Sequence, residues 1–92
     1  MKHAGSDALD RLETLLEQLR RLEGLKEKSR GCFYLRGRGF LHFHEHGDDE
    51  LYADIGLGGD FERVPATTAA QRKAILKRAA AAVRDGTATA KR

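Results

Sequence analysis

The feature that most constrains this chain is an alternation of apolar and polar side chains between residues 32 and 57. Side chains of a β-strand point alternately to opposite faces, so the pattern predicts strands with one buried face and one wet face. The apolar set occupies odd positions: Phe33, Leu35, Leu41, Phe43, Leu51, Ala53, Ile55 and Leu57. The polar set occupies even positions: Tyr34, Arg36, His42, His44, Tyr52 and Asp54. We therefore predict a three-stranded antiparallel meander.

The turns of this meander determine which residues face each other across the sheet. A three-residue turn at residues 37–39, with two glycines for positive φ, predicts three pairs: Leu35 with Leu41, Tyr34 with His42, and Cys32 with His44. The second turn, within residues 46–50, must have odd length, because a one-residue slip turns every side chain over. It then pairs His44 with Tyr52 and His42 with Asp54. The sheet is expected to span about residues 32–64, with 60–64 as a short fourth strand or an extended return.

Two helices are expected to flank the sheet. Leucines at helical spacing predict a helix over about residues 7–27. The capping pattern from Thr68 to Gln71 predicts a second helix over about 68–84, with Gly86 as its C-cap. Residues 1–5 and 87–92 are expected to be flexible tails. A meander with one apolar face needs one covering layer, so both helices should pack there and leave the other face open. We predict one domain, residues 1–92, with an α+β two-layer sandwich in the order α-β-β-β-(β)-α.

The first predicted helix is longer than the sheet that it covers. About 20 helical residues extend for roughly 30 Å, whereas a strand of six or seven residues covers only about 20–23 Å. Part of the leucine stripe should therefore extend beyond the sheet and meet the other helix or a second subunit. From this overhang we predict a homodimer or a small protein partner.

Composition limits the class of protein. The chain has 92 residues, a net charge of +3 and a single cysteine, so it cannot form an internal disulfide. No signal peptide precedes the first predicted helix, and no apolar run is long enough to cross a membrane. We expect a soluble cytoplasmic bacterial protein. The mild charge permits nucleic-acid binding without favouring it. Nucleotide-binding glycine patterns, the Gly-x-Ser-x-Gly motif and the Cys-x-x-Cys motif are all absent from the sequence.

A His-x-His pattern on the middle strand is the feature most typical of metal binding. His42 and His44 would lie on one face, close enough for both imidazoles to bind one ion such as Zn²⁺. Asp54 and Cys32, on neighbouring strands, are the further candidate ligands. The same residues are also ordinary on a half-wet sheet face, and a short His-x-His motif is weak by itself. Because so small a domain has little depth for a pocket, we predict no catalytic residues and favour binding over enzymatic activity.

The predicted outer face also suggests two other functions. Its candidate binding residues are Tyr34, Arg36, Tyr52, His42 and His44. With Phe40 and Arg38 beside them, these side chains resemble faces on which single-stranded bases stack. Asp54 and the acidic turn at residues 48–50 argue against that alternative, because they repel phosphate. A protein-interaction or self-associating module needs the fewest assumptions, and we rank it first.

The segment Arg36-Gly-Arg-Gly-Phe-Leu-His-Phe-His-Glu-His-Gly47, with Ala53-Asp54 and Phe61-Glu-Arg-Val64, resembles small bacterial α+β domains of the luciferase-like and YjbR/MmcQ-like kinds. The resemblance covers about residues 31–84 and includes a Gly-Arg-x-Phe-x-His-x-His hairpin. It implies a compact α+β domain with helices against a meander. It implies no catalytic residues, and the leucine-rich first helix is longer than it requires.

Overall fold

A computed structural model describes residues 1–56 and 61–89, with side chains described as far as Arg84. In chain order the elements are β1 (Lys2–His3), α1 (Ser6–Arg11), α2 (Glu13–Arg20), β2 (Leu25–Ser29), β3 (Cys32–Leu35), β4 (Arg38–His46), β5 (Glu50–Ile55), β6 (Glu62–Pro65) and α3 (Ala69–Thr89). The sheet is antiparallel, with the strand order β2-β3-β4-β5-β6. The short β1 pairs with β4. The predicted α+β class is therefore confirmed.

The alternation of apolar residues produces the core. Every odd-numbered apolar residue of β3, β4 and β5 is buried: Phe33, Leu35, Leu41, Phe43, Leu51, Ala53 and Ile55. Leucines of α1 and α2 and the apolar side of α3 pack in the same cluster. Leu57, which the pattern assigned to this face, lies outside the described residues. The inward and outward faces of the sheet are therefore those that the pattern predicted.

The first hairpin differs from the prediction. Its turn is Arg36-Gly37, because Leu35 pairs with Arg38 and Phe33 pairs with Leu41. All three predicted pairs, Leu35 with Leu41, Tyr34 with His42, and Cys32 with His44, are therefore wrong. A bulge leaves Phe40 as an extra residue between the two registers. Without that extra residue the parity of β4 would invert and its histidines would point into the core.

The predicted first helix over residues 7–27 is wrong in its last third, residues 21–27. The helix is interrupted at Leu12 (φ −94°, ψ 1°) and ends at Arg20. Gly24, at φ 106°, then redirects the chain into β2. Leu25 and Glu27 are half-buried while Lys26 and Lys28 are exposed, which is strand periodicity. Pairing with β3 satisfies backbone groups of β2, and this outweighs the helix propensity of leucine, lysine and glutamate.

The shorter helix removes the argument for a dimer. Leu12, Leu15, Leu16 and Leu19 are all buried within this one chain. The predicted overhang of the leucine stripe therefore does not exist, because its last part is a strand. A homodimer stays a prediction that has lost this support. None of the helices in the described ranges is long and apolar enough to cross a membrane.

Both predicted tails need correction. Lys2 and His3 form β1, and the Ala4 amide donates to the Phe43 carbonyl at 3.0 Å. The reciprocal capping box that begins α3 is confirmed by two hydrogen bonds between Thr68 and Gln71, at 3.0 and 3.1 Å. The helix does not end at about residue 84 with Gly86 as its C-cap, as predicted, but continues to Thr89. One glycine lowers helix stability by only about 1 kcal/mol, which the preceding alanine-rich turns can offset. Residues 90–92 lie outside the described part.

Candidate metal centre

A cluster of imidazoles and one carboxylate lies on the sheet face opposite the helices. His42 and His44 reach this face because they alternate with buried residues of β4. Asp54 of β5 pairs directly with His42, and His44 pairs with Tyr52, as predicted. His3 of β1 pairs with His44 from the other side. Three separate strands therefore contribute to one cluster.

The two predicted histidine ligands converge on one carboxylate oxygen. His42 Nε2 lies 3.3 Å from Asp54 Oδ2, and His44 Nε2 lies 3.1 Å from the same atom. The candidate ligand atoms of the three residues all lie within 4.8 Å of one another. Ligands of a tetrahedral zinc ion with bonds near 2.0–2.1 Å are about 3.3–3.4 Å apart. The two N–O spacings are thus close to those of a metal-binding set.

The cluster is less wet than the sequence predicted. His44 and Asp54 are each only 8% exposed. The His3 ring stacks on His44, with centroids 4.7 Å apart, and Phe61 meets the His42 ring edge-on at 4.9 Å. The prediction of an open, wet face is therefore wrong at this position, because His3 of β1 and Phe61 cover it.

Arg63 holds the carboxylate in place. It pairs with Asp54 across β5 and β6 and donates two hydrogen bonds, Nε to Oδ1 at 2.7 Å and Nη2 to Oδ2 at 2.9 Å. These bonds are the largest cause of the lowered pKa of Asp54, and the neighbouring histidines contribute further. The carboxyl group is therefore ionised at neutral pH. A carboxylate oriented by such an outer partner is typical of metal sites.

The electrostatics of His42 favour its neutral form. Burial is the largest cause of its lowered pKa, and the positive charge on His44 or His3, when protonated, adds to this effect. The charge of Asp54 acts in the opposite direction but does not reverse the shift. The neutral imidazole is the form that ligates a metal ion. At neutral pH, His42 is therefore ready to bind without first losing a proton.

One polar atom of the cluster is left without a partner. His44 Nδ1 is buried, and among the described residues nothing forms a hydrogen bond with it. A buried unpaired polar atom costs about 1–3 kcal/mol and calls for an explanation such as a bound ion or a function. The internal hydrogen bonds of this part of the chain therefore do not fully satisfy the cluster.

The other predicted site residues are not part of the convergent ligand set, although Cys32 and Tyr34 line a cavity that His3 and His42 also line. Cys32 is a half-buried free thiol, and the convergent ligand set of the described residues does not include it. Tyr34 and Arg36 line a different cavity, beside β2. Tyr52 stays next to His44 as its cross-strand neighbour.

Sequence reasoning missed three residues that shape the site: His3, Phe61 and Arg63. A strand of two residues has no periodicity to detect, so His3 was assigned to a tail. The segment of residues 60–64 was recognised as a candidate strand, but only its register with β5 shows that Arg63 faces Asp54. The sequence contained one signal for Arg63. It is a basic residue in a candidate strand, and Asp54 is a lone aspartate in the middle of the predicted sheet.

Comparison of the chain with protein-family models, with curated proteins and with solved structures gave no match. The resemblance suggested by residues 36–47 stays a prediction.

Proposed function

We propose that this protein binds a divalent transition-metal ion, such as zinc, through His42, His44 and Asp54. The observation that carries the proposal is the convergence of two imidazole nitrogens and one carboxylate oxygen within 4.8 Å. Imidazole together with a carboxylate suits zinc and other first-row metals. The ionised Asp54 supplies the negative charge, and Arg63 orients it by donating one hydrogen bond to each of its oxygens.

The neighbouring His3 gives the proposed site a further nitrogen donor. Its ring lies 4.7 Å from that of His44 and 5.7 Å from that of His42, measured between centroids. With His3 as a ligand, the proposed site would have four protein ligands. Four protein ligands are typical of structural zinc sites, whereas three leave a position for water or another ligand.

The same contacts also form without a metal. In that account each Nε2–H donates to Asp54, and the cluster is a buried hydrogen-bonded network. The unpaired Nδ1 of His44 does not separate the two accounts, because a metal ion bound to Nε2 leaves Nδ1 unpaired as well. The two accounts differ in one measurable property, the dependence of stability on metal ions.

The test is thermal unfolding of untagged protein with zinc and with EDTA. A ligand that binds only the folded state stabilises it by about 2.7 kcal/mol at a free concentration of about 100 times its Kd. For a domain of this size that gain raises the Tm by more than about 10 °C. We expect the His42→Ala and His44→Ala variants to lose this zinc-dependent rise.

The matched control is His46→Ala, which removes an exposed histidine from the end of the same strand. It should keep the full rise in Tm with zinc. Metal analysis of the purified protein should agree, with one ion per chain in the wild type and in this control. A Tm that is equal in zinc and EDTA would reject the proposal and leave the metal-free network as the explanation.

A further inference from the structure

A basic cavity lies on the outer sheet face beside β2, away from the imidazole cluster. It has a volume of about 350 Å³ and is lined by Lys26, Lys28, Tyr34, Arg36 and two glycines. Lys26 pairs directly with Tyr34 across the two strands, and Lys28 Nζ lies 4.4 Å from the centroid of the tyrosine ring. No acidic side chain is among the described residues that line it. The cavity therefore combines positive charge with one aromatic platform.

The positive charges of the two lysines in this cavity are not paired with a carboxylate of the described residues. The ion pairs with carboxylates among the described residues include those of Arg20, Arg30, Arg63 and Arg78. Neither Lys26 nor Lys28 takes part in one. The ordinary role of lysines on an edge strand is to prevent edge-to-edge association. Two lysines that converge on a tyrosine within a cavity exceed that role.

One residue of the turn at the rim of the cavity has a backbone conformation that is unfavourable for a residue with a side chain. Arg36 has φ 53°, in the left-handed region, and Gly37 follows at φ 81°. Two-residue hairpin turns of this kind prefer Asn-Gly or Asp-Gly. A left-handed conformation costs a residue with a Cβ roughly 1–2 kcal/mol, and such strain is concentrated at functional sites. Arg36 is therefore a strained residue at the rim of the cavity.

A second cavity extends the surface from the same tyrosine toward β4. It has a volume of about 280 Å³, and its lining includes Tyr34, Phe61, His42 and Cys32. Phe61 is 37% exposed, so part of its ring is accessible to solvent. Charged groups thus lie on one side of Tyr34 and further rings on the other. The two cavities share Tyr34, so a ligand that occupies both must extend across this residue.

We propose that this surface binds single-stranded nucleic acid. Bases stack on Tyr34 and Phe61, and phosphates bind Lys26, Lys28 and Arg36. Stacking on exposed rings beside a basic groove is the general mode of single-strand recognition.

Two features of the sequence that argued against nucleic-acid binding are weaker in the folded protein. Asp54 is buried and its charge is paired with Arg63. The acidic turn at residues 48–50 follows the far end of β4, whose nine residues separate it from the basic turn by about 27 Å. Neither negative group therefore lies beside the proposed phosphate contacts.

The experiment is fluorescence anisotropy with a labelled oligouridylate of about twelve nucleotides. EDTA is present throughout, so that the result does not depend on the proposed metal site. We expect binding that weakens as salt rises from about 50 to about 200 mM. Tyr34→Ala should weaken it by roughly 10- to 100-fold, and Tyr34→Phe, which keeps the ring, should not.

The double variant Lys26→Ala/Lys28→Ala tests the phosphate contacts without touching the core. It should lower the affinity and reduce the slope of log K against log salt by about 1 to 1.5. Its matched control is Lys73→Ala/Lys77→Ala, which removes the same charge from exposed positions of α3. Circular dichroism checks that each variant is folded.

Three results would overturn the proposal. The first is no anisotropy change at low salt, and the second is an equal loss of affinity in the two lysine double variants, which would indicate binding by net charge alone. The third is competition by uridine monophosphate as strong as that by the unlabelled oligonucleotide, which would make the occupant a single nucleotide.

Discussion

At the residue scale, the central group of the candidate site is Asp54. Its side chain is buried and accepts two hydrogen bonds from Arg63. The Nε2 atoms of His42 and His44 lie against one of its two oxygens. A buried carboxylate is tolerated only when it is paired and hydrogen-bonded in this way. Removal of Arg63 would therefore do more than delete a surface contact, since it would leave a buried charge with weaker compensation.

The stability of the metal-free protein should fall in two steps as the pH is lowered. The pKa of His42 in the folded protein is below its ordinary value of 6.5. As the pH falls below 6.5, the unfolded chain therefore binds a proton more readily than the folded protein does, and the free energy of unfolding decreases. The folded pKa of Asp54 is also lowered, so its contribution is fully present above about 3.8 and is lost as the pH falls further. Urea unfolding in EDTA at pH 7.5, 5.5 and 3.5 measures both steps.

The variant His42→Gln separates the two steps. It should flatten the loss between pH 7.5 and 5.5 while leaving the loss below pH 4 in place. His46→Gln, at an exposed position of the same strand, is the control and should behave as the wild type. An unchanged first step in His42→Gln would show that another group causes it.

At the scale of single elements, the two hairpins of the meander behave differently. The second hairpin has the predicted register, because its turn kept the parity that the buried residues require. The first hairpin uses a two-residue turn and then recovers the parity with a bulge at Phe40. Both Phe40 and Leu41 are buried as a result. Burial of β4 on its helix-facing side thus decided the register, and the turn adapted to it.

The strain at the first turn predicts a trade-off between stability and binding. Arg36→Asn replaces a disfavoured residue with one that left-handed turn positions prefer, so it should raise the free energy of unfolding by about 0.5–1 kcal/mol. It should also weaken oligonucleotide binding, because a phosphate contact is lost. Urea unfolding and anisotropy measure the two effects.

Gly37→Ala is the complementary variant at the same turn. A methyl group there would meet no atom within 4 Å, so its expected cost of about 1–2 kcal/mol is conformational alone. If Arg36→Asn destabilised the protein, the assignment of backbone strain to this turn would be wrong.

At the scale of the whole molecule, the candidate site depends on contacts between distant parts of the chain. β1 brings His3 onto His44 across 41 positions of sequence, and the Gly5 amide donates to the Glu45 carboxylate at 2.6 Å. The other side of the cluster is covered from β6. The metal-binding surface is therefore assembled only when the sheet is complete.

Removal of residues 1–3 should uncover the cluster. Without β1, His44 loses the stacked ring of His3. The Ala4 amide also loses the strand pairing that places it at the Phe43 carbonyl. We expect lower stability in EDTA and a smaller rise in Tm with zinc than in the full chain. The control His3→Phe keeps a ring in place of the imidazole. It should retain most of the stability, and its zinc-dependent rise shows whether His3 is a ligand.

The sequence by itself determined the two faces of the sheet. Alternating apolar residues must share one side, and this placed His42, His44 and Asp54 together on the other side. Only the tertiary structure decided the rest: residues 25–29 became a strand, β1 joined the sheet, and Arg63 came to face Asp54. Local patterns report which side chains must be buried. Strand partners depend on backbone hydrogen bonds between distant segments, and no local pattern contains them.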